Sequence, residues 1–188
     1  MRTAADLRDP DSPHFVYDTK TIALHWVSVL VVTAQWVGGH TIDWFPRGAL
    51  RIDARSVHLI LGAALAVLIL VRLHWRVTSG RQAPATGEAV LDGLSRLLHG
   101  TLYGLLLCAI ALGIGNAWIR GDSLFGLFNL PRPFESGPDL RRDLAFGHAV
   151  LAYAIAIAVT LHAAAALAHA LFRRDGVMSR MLPVNRSS

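Results

Sequence analysis

Four stretches of the chain carry no Asp, Glu, Lys or Arg: Thr21–Ile42, Ser56–Val71, Leu97–Ile119 and Leu144–Phe172. A bilayer core about 30 Å thick is crossed by about 20 helical residues, and the first, third and fourth stretches reach that length. The second reaches it if Arg72 lies at the boundary, its aliphatic stem in the apolar layer and its head at the interface, with His74 and Trp75 continuing the helix. The pattern predicts an all-α integral membrane four-helix bundle with spans over about 21–42, 56–75, 97–119 and 144–172. Residues 1–20 then form a polar arm, 21–175 the helical domain and 176–188 a basic tail. Between spans, Trp44-Phe45-Pro46-Arg47-Gly48 marks a short connection, and Gly80, Pro84 and Gly87 mark a turn-rich one. The third connection is punctuated by Gly121, Pro131, Pro133, Gly137 and Pro138, with Leu124–Phe128 expected to lie flat at the membrane interface.

Composition agrees with this reading. Hydrophobic residues make up 53% of the chain and charged residues 16%, with a mean hydropathy of +0.43. A net charge of +5 would suit a nucleic-acid partner, but the basic residues sit beside apolar spans, a common feature of membrane topology. The expectation is therefore membrane lipid and no nucleic acid. Four spans put both termini on one side, and of the 18 Lys and Arg, eleven fall on the termini and the 2–3 connection and seven on the opposite face. That bias predicts cytoplasmic termini. Asp6, Asp9, Asp11 and Asp18 precede the first apolar run, the wrong order for a secretory leader, so span 1 is expected to be retained. Trp36, Trp44, Trp75 and Trp118 fall near span ends as an aromatic belt.

Histidine changes the picture. The chain has nine, and His25, His40, His58, His99, His148 and His162 lie within or at the edge of a span; ionisable groups at membrane depth are rare and usually functional. His148 and His162 are 14 residues apart on span 4, which places them within about 40° of one face and about 21 Å apart in height. Such a face suits two stacked haem groups, each needing a second axial ligand at matching depth. His25, near the inner end of span 1, pairs by depth with His162; His58, near the outer end of span 2, pairs with His148. Cys108 is the only cysteine, which excludes a covalent CxxCH attachment, so coordination and packing must hold any haem. Gly62, Gly100, Gly104, Gly113, Gly115 and Gly147, with the alanines of span 4, leave room for a macrocycle or for close helix packing. His99 and His169 lie at the inner edge, either as hydrogen-bond partners of a quinone headgroup or as interfacial residues. Arg72 either pairs with a haem propionate or snorkels.

Ile22-Ala23-Leu24-His25-Trp26, Val71-Arg72-Leu73 and above all Leu161-His162-Ala163-Ala164-Ala165-Ala166-Leu167-Ala168-His169 resemble the bacterial cytochrome b-561 family. Trp44-Phe45-Pro46-Arg47, Arg120-Gly121 and Met181-Leu182-Pro183 extend the resemblance over about residues 17–183. It implies four helices in the bacterial inner membrane and two haem b groups, with His25, His58, His148 and His162 as axial ligands. His99 and His169 match positions associated with the quinone end. The resemblance further implies oxidation of superoxide at the outer face with ubiquinone as acceptor, or, in related cytochromes, an electron-conduit anchor for a hydrogenase or dehydrogenase subunit. The sequence departs from the family pattern in its longer acidic arm and in Arg96, where the pattern has a further histidine. Seven outer arginines are nearly balanced by six carboxylates. Arg51, Arg55, Arg141 and Arg142 nevertheless sit beside the spans carrying His58 and His148, where they are expected to steer an anion such as superoxide.

Overall fold

The computed structural model describes residues 15–81, 89–135 and 137–182. The acidic arm before residue 15, most of the second connection and the end of the basic tail lie outside the described residues. Four long helices dominate: α1 (Thr19–Thr41), α2 (Ala49–Thr78), α3 (Ala89–Arg120) and α4 (Pro138–Ala168). All four are long and apolar enough to cross a membrane. Their large side chains point outward, with Leu30 70%, Val67 61% and Ile157 63% exposed. In water such surfaces would aggregate; in lipid tails they are already in an apolar solvent.

The helices outrun the charge-free stretches. α2 begins at Ala49 and takes Arg51, Asp53 and Arg55 into its first turns. Absence of charge marks what lipid must cover, whereas helical hydrogen bonding continues until a residue such as Gly48 (φ 126°) stops it. α4 opens with Pro138, whose missing N–H is no loss in a first turn. At its other end α4 widens into a π-turn, His169–Arg173, closed by the left-handed Arg174 (φ 51°).

α1 packs along α2 and α3 along α4, and α2 meets α3. The backbone of α4 stays largely away from α1 and α2, which leaves a gap for side chains to bridge. Both ends of the bundle are fastened. At the end carrying the termini, Asp18 caps α1 by accepting from the Thr21 N–H (2.9 Å) and hydroxyl (2.7 Å). Asp18 also accepts from the Trp75 indole of α2 (3.2 Å). Partial burial would raise the Asp18 pKa, but the donors from Thr21, Arg81 and Trp75 outweigh it and hold the carboxyl below its ordinary value. The clasp therefore contributes stability at neutral pH and loses it as pH falls through that lowered pKa. The tail completes this end: Trp26 donates to the Met181 carbonyl (2.8 Å), and the Tyr17 N–H donates to that of Arg180 (3.1 Å).

At the opposite end the third connection, expected at the membrane interface, has regular structure of its own. Ser123–Leu124 (β1) and Phe128–Asn129 (β2) form a small antiparallel hairpin, the one departure from an all-α chain among the described residues. Phe125 and Gly126 both take positive φ (53° and 70°), so the backbone reverses and pairs with itself. Ser56 of α2 anchors it. This residue is wholly buried, accepts from the Phe125 N–H (2.8 Å) and lies 3.1 Å from the Ser123 carbonyl and 2.8 Å from its own Ile52 carbonyl. Ser56→Ala strands the Phe125 N–H, a cost of about 1–3 kcal/mol. The expected result is faster hydrogen exchange at Phe125 and a lower melting temperature for the detergent-solubilised protein; unchanged exchange would mean the hairpin holds itself.

Candidate metal centres

Two histidine pairs bridge the gap between α4 and the α1–α2 pair. The rings of His25 (α1) and His162 (α4) are 6.2 Å apart between centres with an interplanar angle of 67°. Those of His58 (α2) and His148 (α4) are 6.3 Å apart at 87°. A metal bound about 2.0–2.1 Å from one nitrogen of each ring would hold the ring centres about 6 Å apart. Each pair has that spacing. Among the described residues no cluster of three or more His, Cys, Asp or Glu could hold a metal ion, whereas a bare ion such as zinc wants about four ligands. Two facing imidazoles fit a metal whose in-plane donors come from a macrocycle, as in haem.

The surroundings of each ring bear on that fit. His148 Nδ1 is 2.9 Å from the Ala109 carbonyl, so Nδ1 carries the proton and the Nε2 lone pair is free to bind metal. His58 Nδ1 is buried with no partner among the described residues. Both rings press into glycine notches. A Cβ on Gly39 would sit 3.2 Å from His58 Cε1, and one on Gly113 would sit 3.0 Å from His148 Cε1. Of the glycines singled out in the sequence, Gly62 faces Gln35 and Gly147 faces Leu112, while Gly100, Gly104 and Gly115 adjoin open space. Gly39 had no sequence signal beyond its neighbour Gly38.

The end carrying the termini is more crowded. His99 (α3) stands 5.3 Å from the His162 ring. Arg72 Nη2 is 2.9 Å from His25 Nδ1, and the guanidinium lies over the Tyr103 ring at 5.7 Å. A guanidinium only donates, so His25 Nδ1 is the acceptor here and its proton is on Nε2. Metal at Nε2 would move that proton to Nδ1, and Arg72 would then have to turn to an acceptor; a haem carboxylate is one. His169 meets Asp175, with Nδ1 and Oδ2 2.5 Å apart. Slight burial would raise the Asp175 pKa, but donors from His169 and the Val177 N–H, with the charges of His169 and Arg173, hold it below its ordinary value.

The arginines expected to steer an anion differ in their surroundings. Arg51 pairs with Asp43 (3.4 Å) and donates to the Phe45 carbonyl. Arg142 lies between Asp139 (3.3 Å) and Asp143 (3.5 Å). Arg141 lines a surface hollow with Arg132, Phe134 and Glu135. Arg55 shares one carboxylate, Asp122, with Arg120 (3.5 and 3.3 Å), and Arg132 donates to the Arg120 carbonyl (3.1 Å). Positive charge thus exceeds negative at the Asp122 cluster, one turn from His58. Arg120, one of the seven outer arginines, was not grouped with Arg55 in the sequence because the carboxylate they share, Asp122, is not placed by a helical interval.

Residues 16–184 match the family model described as prokaryotic cytochrome b561. The chain belongs to that family. It is 28% identical over 177 residues to the probable superoxide oxidase CybB of Yersinia pestis, covering 92% of this chain and 99% of that protein. It is similarly 28% identical over 171 residues to cytochrome b562 of Cereibacter sphaeroides, covering 88% and 94%. Cytochrome b561 homolog 2 of Escherichia coli is 27% identical over 178 residues, covering 88% and 90%. As a b561-family cytochrome the chain is a membrane haem protein of electron transport, and a b-type cytochrome carries haem b. The bare donor chemistry of the two histidine pairs fits that group.

Proposed function

We propose that this cytochrome oxidises superoxide at the hairpin end and reduces ubiquinone at the end carrying the termini, in the bacterial inner membrane with both termini cytoplasmic. His58 with His148 and His25 with His162 would hold two haem b groups, which when bound supply one-electron redox chemistry. The balanced reaction takes two superoxide anions, one quinone and two protons to two dioxygen molecules and one quinol. The observation that carries this reading is the pair of like-spaced histidine bridges, 6.2 and 6.3 Å, at two heights on α4. The similarity to a probable superoxide oxidase supports the substrate.

The protein's own residues have separable tasks. Arg55 and Arg120, sharing one carboxylate, attract an anion toward the hairpin end, and such fields raise association rates 10-fold or more in a salt-sensitive way. Arg51, Arg141 and Arg142 add to that field only so far as their carboxylate neighbours leave charge uncompensated. Arg72 balances the charge of a haem carboxylate. His99 and His169 hydrogen-bond the quinone.

Stopped-flow mixing of the purified haem-loaded protein with superoxide, followed by ubiquinone, tests the reading. Haem reduction should be fast and fall steeply with ionic strength, and Arg55→Gln or Arg120→Gln should flatten that dependence with spectra unchanged. His99→Ala or His169→Ala should slow quinol formation alone. A fast reaction indifferent to salt removes steering. No reaction with superoxide overturns the oxidase reading and leaves an electron conduit serving a hydrogenase or dehydrogenase partner, which co-purification would identify.

A further inference from the structure

The pairing of His169 with Asp175 is not an incidental surface contact, because both carboxylate oxygens are engaged and the segment presenting them is tied down. After the π-turn, the Arg174 N–H bonds back to the His169 carbonyl (2.7 Å), and the left-handed Arg174 and Gly176 (φ 51° and 76°) reverse the chain. That reversal returns Asp175 to the ring it follows by six residues. Oδ2 meets His169 Nδ1, while Oδ1 accepts from the Val177 N–H (3.2 Å). Ser179 donates to the Gly176 carbonyl (2.7 Å), and residues 180 and 181 are bonded to Tyr17 and Trp26 near the start of α1. The two side chains are 24% and 34% exposed, so water reaches the pair while the tail fixes it.

We propose that Asp175 is a positioning residue that makes His169 the proton donor to the bound quinone, an inference resting on the quinone site proposed above. A carboxylate at Nδ1 keeps that nitrogen protonated, so the second proton the ring can carry is on Nε2, the nitrogen facing away from Asp175. Quinone takes two electrons, here from two superoxide anions, and two protons. For each proton delivered by His169, the Nε2–H bond breaks, an O–H bond forms at a quinone oxygen using an electron pair of the reduced quinone, and water restores the proton to Nε2. Nδ1–H stays on Asp175 throughout. Without the carboxylate the ring is free to hold its single proton on Nε2 or to rotate, and a singly protonated ring is the weaker acid.

The test uses the haem-loaded protein reduced beforehand with dithionite, so that superoxide plays no part, and a short-chain ubiquinone as the probe. Reoxidation of the haem is followed against quinone concentration. Asp175→Asn keeps the size and one acceptor but removes the charge; the maximal rate should fall about tenfold or more, as expected when proton transfer is impaired, with the half-saturating quinone concentration and both haem spectra unchanged. Asp175→Glu should recover part of the rate. In a His169→Ala background, Asp175→Asn should have no further effect, because the carboxylate acts only through the ring. An additive loss in the double variant, or a parent-like rate in Asp175→Asn, overturns the proposal. If His169→Ala alone matches the parent, the quinone site itself is misplaced, a distinct failure.

Discussion

Under the proposed two-haem arrangement, His162→Ala and His25→Ala are each expected to lose one haem, and His58→Ala and His148→Ala the other. Haem per chain, measured chemically after purification, should drop by half in all four. The two pairs should differ in which component of the redox titration disappears. The reason is geometric: among the described residues each of these rings meets one partner ring at a spacing of about 6 Å, the value a shared metal requires. Among the described residues His99 is the candidate substitute, standing 5.3 Å from His162, too close for a metal between the two rings as they stand. His25→Ala should therefore not be rescued by His99, and adding His99→Ala should change nothing further in haem content. A crossed pattern, with His25→Ala and His148→Ala erasing the same component, would sink both the pairing and the arrangement of helices that produces it.

A single methyl group should do nearly as much damage at the hairpin end. Gly113→Ala puts a Cβ 3.0 Å from His148 Cε1 and 3.3 Å from its Nδ1. The ring cannot yield easily, because Ala109, one turn earlier on the same helix, holds Nδ1 by its carbonyl. Overpacking of this kind costs about 1–3 kcal/mol, and moving the ring to relieve it breaks the bond that fixes the tautomer. The expected outcome is loss or spectral broadening of the haem proposed for His58 and His148, with the other unaffected. Gly115→Ala, two residues on with no atom within 4 Å of its added carbon, is the control and should behave as parent. Equal behaviour of the two variants would show that the notch has slack.

What the sequence made legible and what it hid divide along physical lines. Spans are readable because the lipid requirement is additive along the chain: a run without charge either covers about 30 Å or does not. The ring pairs are readable because His148 and His162 are related by a helical interval. Helix ends were misjudged where charge and hydrogen bonding disagree, as at Arg51, Asp53 and Arg55, which are helical though not apolar. The hairpin was missed because it depends on positive φ at Phe125, a residue with no intrinsic preference for it. Asp175 was missed for the same reason, since its return to His169 depends on a left-handed arginine. Arg51, Arg55 and Arg142, grouped by position along the chain, differ in their partners: those of Arg51 (Asp43) and Arg55 (Asp122) need the folded connections, whereas Asp139 and Asp143 meet Arg142 within the first turns of α4.

The fastening of Tyr17 and Trp26 by the carbonyls of Arg180 and Met181 also sets an order of events in biosynthesis. A chain is made from its N-terminus, so α1 enters the membrane long before the segment that bonds it exists. Asp18 finds Trp75 once the second helix is complete, but the Tyr17 N–H and the Trp26 indole wait for residues 180 and 181, beyond the fourth helix, to leave the ribosome. Until then the side of the bundle next to His25 has no floor. Residues 180 and 181, made after all four helices, thus act as the closing stitch, and a nascent chain stalled before them holds four finished helices around a site still open to the cytoplasmic side proposed for the termini.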